Sequence, residues 1–159
     1  MSKRMESYMA KPEILESKPA VTEAAIVRLE KRLKSKLPLP YREFLLRHNG
    51  GRPQPATFVP SDKDRPTEVI NSFLALDGDP DVDDLSTFLK LYKKRLPASF
   101  LPVAYDAFGN LICIGLQGPG RGRVYFWNHE SERKDDRLIA DDWDSFLESF
   151  QTPESKAGD

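Results

Sequence analysis

The sequence predicts a single α+β domain, with an antiparallel sheet of about five or six strands packed by about four helices. Three observations carry that reading. Helical apolar stripes open the chain, recur near residue 88 and close it near residue 146. The β-rich runs Phe100–Tyr105, Leu111–Leu116 and Arg123–Trp127 are joined by links short enough to allow only antiparallel neighbours. Leu111–Leu116 is apolar on both faces, which places it at the centre of the sheet with helices covering at least one side.

Residues 1–20 are polar, hold Pro12 and Pro19, and show no sustained period, so a mobile arm is expected there. The domain is expected over residues 21–151. Thr22 is placed to cap a helix whose stripe is Ile26, Leu29, Leu33 and Leu37, broken by Pro38-Leu39-Pro40. Pro40 suits the start of a second helix, in which Tyr41, Phe44, Leu45 and His48 share a buried face. Asn49-Gly50-Gly51 is expected to end it, with Gly50 in the left-handed conformation of a helix cap.

Four prolines between Arg52 and Pro66 predict a loop, with Phe58-Val59 as a short edge strand inside it. Val69–Leu76 reads as one strand. After an Asp-rich run, Leu85, Phe88, Leu89, Tyr92 and Leu96 repeat at helical spacing behind a cap at Asp83 or Asp84. Trp143, Phe146, Leu147 and Phe150 form the closing helix, capped by Asp141 or Asp142, and residues 152–159 read as a solvated tail. Trp143, Phe146 and Phe150 are expected to be buried on the sheet.

Composition narrows function. Hydrophobic residues make up 39% and charged residues 31% of the 159, an ordinary globular balance, and no run approaches the roughly 18 apolar residues of a membrane span. No apolar stretch follows Lys3 and Arg4, and Cys113 is the lone cysteine, so a cytoplasmic location without disulfides is expected. The net charge of -1 conceals an asymmetry. Through His48 there are 11 Lys/Arg against 6 Asp/Glu, and from Asn49 onward 13 against 19. The dense clusters are acidic, which argues against nucleic acid and for a basic protein as partner.

No constellation reads as catalytic. His48 falls on the apolar face of its helix, Cys113 lies inside the most apolar strand, and His129 follows a strand before a charged loop. Their spacing matches no zinc pattern, and His129-Glu130 lacks the second histidine of a zincin helix. Gly118, Gly120 and Gly122 lead into a strand rather than a helix, so they make a hairpin and not a dinucleotide loop. Asp77, Asp79, Asp81 and Asp83 resemble the start of a calcium loop, but Val82 and Phe88 stand where glycine and a bidentate glutamate are needed. No metal or cofactor is expected.

Five acids in eight residues, Asp77, Asp79, Asp81, Asp83 and Asp84, exceed what a helix cap and its dipole use. This run is the first candidate for binding a partner. A second acidic set, with Glu130, Asp135 and Asp136, is diluted by Arg133, Lys134 and Arg137 and reads mainly as a solvated linker. The neutral neighbours Trp127 and Asn128 are the remaining candidates.

Leu37-Pro38, Tyr41-x-x-Phe44-Leu45 and Asn49-Gly50-Gly51, followed by Leu101-Pro102-Val103-Ala104-Tyr105-Asp106, Gly109-Asn110, Ile112-Cys113-Ile114-Gly115 and Val124-Tyr125-Phe126-Trp127-Asn128-His129-Glu130, occur in an order that resembles the SUKH superfamily, in its cell-wall assembly regulator (Smi/Knr) branch. The likeness runs from about Val21 to Phe150. It implies a non-catalytic fold, most often a bacterial immunity protein that neutralises a cognate toxin by binding it. Fungal relatives imply the alternative, a regulatory scaffold for an endogenous enzyme or signalling protein.

Overall fold

Local hydrogen bonding sets the start of the first helix. In the computed structural model, which describes residues 11–62, 66–77, 83–130 and 136–151, Thr22 is extended and its Oγ1 accepts the Ala25 amide at 3.1 Å. Helix α1 (Glu23–Leu33) buries Ala25, Ile26 and Leu29. It stops before the proline, because Lys34 turns left-handed and the Lys34 and Ser35 amides fold back onto the Lys31 and Glu30 carbonyls. Leu37 is buried from the connection instead.

Helix α2 (Leu39–Arg47) holds Pro40 in its first turn, where the missing N–H has no partner to lose. Tyr41, Phe44 and Leu45 are buried, as their spacing predicts. Its end differs from expectation: His48 is already extended, so the helix stops before Asn49-Gly50-Gly51. Gly50 does take a left-handed φ of 74°, but in a turn beyond the helix rather than as its cap.

Among the described residues, ten short strands follow or precede these helices. Strand β1 (Glu13–Leu15) pairs antiparallel with β2 (Arg52–Gln54). Part of the expected arm is therefore paired to the domain, while residues 1–10 lie outside the described residues. Strand β3 (Thr57–Phe58) is not an edge but the middle of a three-stranded sheet, between β4 (Glu68–Val69) and β10 (Phe150–Gln151). The predicted strand Val69–Leu76 is divided. Strand β4 belongs to that small sheet, and β5 (Ser72–Phe73) belongs to the large one. The amides show the switch directly: Ile70 donates to Ala56 and the next residue, Asn71, donates to Tyr105.

The large sheet has the order β5, β6 (Phe100–Tyr105), β7 (Leu111–Gly115), β8 (Val124–Trp127), β9 (Asp136–Ala140), all antiparallel, with β7 central as its sequence requires. Alternation along β7 explains its double-sided apolarity. Ile112 and Ile114 enter the main core with α1, α2 and helix α4 (Trp143–Glu148). Leu111 and Cys113 enter a smaller cluster with Trp127, covered by Phe88 and Tyr92 of helix α3 (Leu85–Leu91) and its exit turn.

Asp142 caps α4 by accepting the Ser145 amide at 2.8 Å. The helix is shorter than its periodicity suggests: Phe150 is buried from strand β10, opposite Phe58, rather than from the helix. Trp143, Phe146 and Phe150 are all buried, and Phe146 meets Phe58, Trp143 and Phe150, each at a centroid distance of 5.3 Å.

Candidate partner-binding surface

The acidic run after β5 is presented from a clamped base. Asn49, only 3% exposed, donates from Nδ2 to the Leu76 and Pro19 carbonyls and accepts the Leu76 amide on Oδ1, each within 2.9 Å. The Ala75 amide donates to the Asp83 carbonyl, and the Leu85 amide donates to Ala75. Gly50 is needed because a Cβ there would lie 2.8 Å from the Ala75 Cβ. Asn49-Gly50 thus grips the strand that leads into the acids, a role that a reading of local sequence assigns to a helix cap.

The acids divide by use. Asp84 is buried and caps α3 through the Thr87 amide at 3.1 Å. Asp83 has a left-handed φ of 52° and accepts a short hydrogen bond from the Tyr105 hydroxyl. Burial, then that bond, pushes the Tyr105 phenol up to about 12. Asp77 is exposed and lies 3.5 Å from Arg28 of α1, an ion pair in solvent that is worth little. Asp79 and Asp81 lie outside the described residues. Of the described members, Asp77 is the one whose carboxylate is solvent-exposed and engaged only by a surface ion pair.

The second group sits where β8 ends. Trp127 is 4% exposed, which corrects its candidacy: it packs in the smaller cluster against Tyr92 at 5.6 Å, with the Arg95 guanidinium 5.2 Å from its ring. Asn128 closes an Asx turn onto the Glu130 amide. The Glu130 side chain is 81% exposed. Asp136 starts β9 opposite Trp127, and Asp135 lies outside the described residues.

Beside this end stands a feature that the sequence reading treated only as a link. The turn between β6 and β7 is built on buried Asp106, whose carboxylate accepts the amides of Phe108 and Asn110 and the Asn110 side-chain N–H, at 2.8–3.0 Å. Asn110 in turn accepts the His129 amide, and the His129 ring packs over Gly109. Phe108, held at the tip, is 78% exposed, more than any other large apolar residue described. An aromatic between Asp106 and Gly109 was the available signal.

The groups with catalytic potential have structural surroundings. Cys113 is fully buried. The His48 ring packs at a tilt against Phe44, with centroids 5.4 Å apart, and burial, then Arg47, holds its imidazole below the ordinary range. Among the described residues, no three His, Cys, Asp or Glu side chains are grouped to hold a metal. No described helix is long and apolar enough to cross a membrane.

These features define a small α+β domain with two hydrophobic clusters, exposed acids at Asp77 and Glu130, and an exposed aromatic tip at Phe108. The profile of the SMI1 / KNR4 family (SUKH-1) matches residues 20–149, and the chain belongs to that family. It is also similar to the SPbeta prophage-derived uncharacterized protein YokK of Bacillus subtilis (strain 168), with 27% identity over 147 residues covering 81% of this chain and 74% of that protein.

Proposed function

We propose that this chain is a non-enzymatic protein-binding module that acts as an immunity protein, neutralising a toxin by occupying it. Membership of the SMI1 / KNR4 family (SUKH-1) over residues 20–149 is the observation that carries this reading. The structural employment of His48 and Cys113 supports binding over catalysis. The contact surface we assign is Asp77, with Asp79 and Asp81 after it in sequence, joined by Asn128, Glu130 and the exposed Phe108, with Asp135 and Asp136 following in sequence. A basic toxin domain fits that charge, with steering by the acids and anchoring by the aromatic.

The test is co-expression with the C-terminal domain encoded in the adjacent reading frame. Restored growth and a purified one-to-one complex are the expected result. A folded protein that neither protects nor binds removes the immunity reading and favours the scaffold alternative.

A further inference from the structure

The connection between α1 and α2 carries charge of one sign. Residues 31–40 hold four Lys/Arg and no acid, and residues 117–123, in the link between β7 and β8, hold two and no acid. The fold joins these segments. Arg121 donates from one guanidinium nitrogen to the Lys36 carbonyl at 2.9 Å and to the Leu116 carbonyl at 2.7 Å. The Ser35 hydroxyl donates to the same Leu116 carbonyl at 3.3 Å. Neutral carbonyls position the Arg121 guanidinium without cancelling its charge. Lys31, Lys34, Lys36 and Arg121 are all exposed, and none has an ion pair among the described residues. Like charges gathered at one corner repel, and an acidic partner relieves that repulsion.

Beside this charge runs an apolar groove of about 370 Å³, between α1 and the start of α2. That volume lies within the range of sites that seat a ligand. Buried Leu37 lines it together with Val27 and Leu39, which are 39% and 68% exposed and are two of the five exposed large apolar residues described. Lys36 borders it directly, and Lys31 follows Val27 by one turn of α1. The acids at the groove are already engaged. Glu30 accepts the Leu37 amide at 2.9 Å and Arg42 Nε at 3.2 Å, and Arg42 also pairs with Glu23 at 2.8 Å. These three sum to one negative charge against the four cations. Glu43, the next acid on α2, borders the cavity on the other flank of that helix.

We infer that this groove and its basic border are a docking site for an acidic peptide segment of a partner protein. An aliphatic side chain of that segment sits against Val27, Leu37 and Leu39, and its carboxylates meet Lys36 and Arg121. Nucleic acid fits less well, because the exposed apolar groups here are aliphatic, whereas bases stack on aromatic rings. The inference is independent of the immunity reading: Asp77 pairs with Arg28 on the opposite flank of α1, so failure of either surface leaves the other standing.

The test titrates full-length protein into fluorescein-labelled synthetic peptides at low salt, read by fluorescence polarisation. One peptide carries Leu-Leu flanked on both sides by Asp and Glu, a second replaces Leu-Leu with Ser-Ser, and a third replaces the acids with Lys. The first should saturate with a Kd below about 100 μM. The second should bind at least about tenfold more weakly, as the loss of a seated leucine requires, and the third should not bind. Leu39→Ser should weaken the first peptide by about tenfold as well. The pair Lys34→Gln and Lys36→Gln should weaken it and flatten its salt dependence. Arg28→Gln, on the far flank, should change neither, and an unmoved thermal midpoint shows that each variant is folded. No saturable binding of the first peptide below about 1 mM, equal binding of the serine peptide, or indifference to Leu39→Ser overturns the site. Stronger attachment to phosphatidylserine vesicles than to the peptide, lost in the same variants, overturns it in favour of a membrane surface.

Discussion

Asn49 does more than its place after a helix suggests. Three hydrogen bonds join its side chain to Pro19 and Leu76, so one buried amide ties the start of the domain to the root of the acidic loop. Asn49→Ala strands the Leu76 amide and carbonyl and the Pro19 carbonyl together. A loss of about 2–4 kcal/mol in denaturant melts is expected, given roughly 1–3 kcal/mol for each buried group left unpaired and partial access of water. Hydrogen exchange at Leu76 should rise more than at Ile114, deep in the large sheet. Asn49→Ala with a change below about 1 kcal/mol would show that the clamp is not held by this side chain. The residue types here were legible in the sequence, since Asn and Gly mark a turn, but the partner was not. Nothing local in Asn49-Gly50-Gly51 shows that Ala75 and Leu76 will be brought against it.

Elements were legible where their neighbours are near in sequence. Strands β6, β7 and β8 follow one another through short links, so apolar runs and turn residues suffice to order them. Strands β4 and β5 were misread as one because their partners, β3 and β6, lie in different sheets, and Asn71 was the slight sign of a break. Phe150 was likewise assigned to a helix by period alone, although β3, more than ninety residues earlier, recruits it as a strand. The link between β7 and β8 gives a prediction at this scale. It folds back so closely that a Cβ on Gly115 would overlap the Gly120 carbonyl oxygen, whereas Gly118, at a φ of 70°, has nothing within 4 Å of such an atom. Gly115→Ala should therefore cost about 1–3 kcal/mol through forced backbone displacement. Gly118→Asn should be nearly silent, because Asn tolerates the left-handed region. Equal thermal shifts in the two variants would mean that the link does not lie against β7 as described.

For the whole molecule, charge is the property that most directly connects sequence to the proposed partner. The asymmetry between the first 48 residues and the rest leaves the net at -1, so long-range attraction for a basic partner must come from local acidic groups rather than from overall charge. The fold consumes some of them: Asp84 caps α3, Asp83 binds Tyr105, and Asp106 locks a hairpin. Asp77 and Glu130 remain exposed, and Asp79 and Asp81 extend the acidic run in sequence. Changing Asp77, Asp79 and Asp81 together to Asn leaves all three structural carboxylates in place, so the denaturant midpoint should move little. Association with the toxin domain proposed as its partner should slow by about tenfold in low salt, within the range that steering supplies. Raising ionic strength past about 0.15 M, where the Debye length is near 8 Å, should slow the unaltered protein and bring the two rates together. Phe108→Ser should act differently, raising the dissociation rate while preserving the salt dependence, because an aromatic anchor holds a formed complex and does not guide encounter. Stopped-flow binding at several salt concentrations separates the two effects. A folded triple variant with an unchanged on-rate at low salt would remove the acidic loop from the interface and leave the assignment to Phe108 and its neighbours.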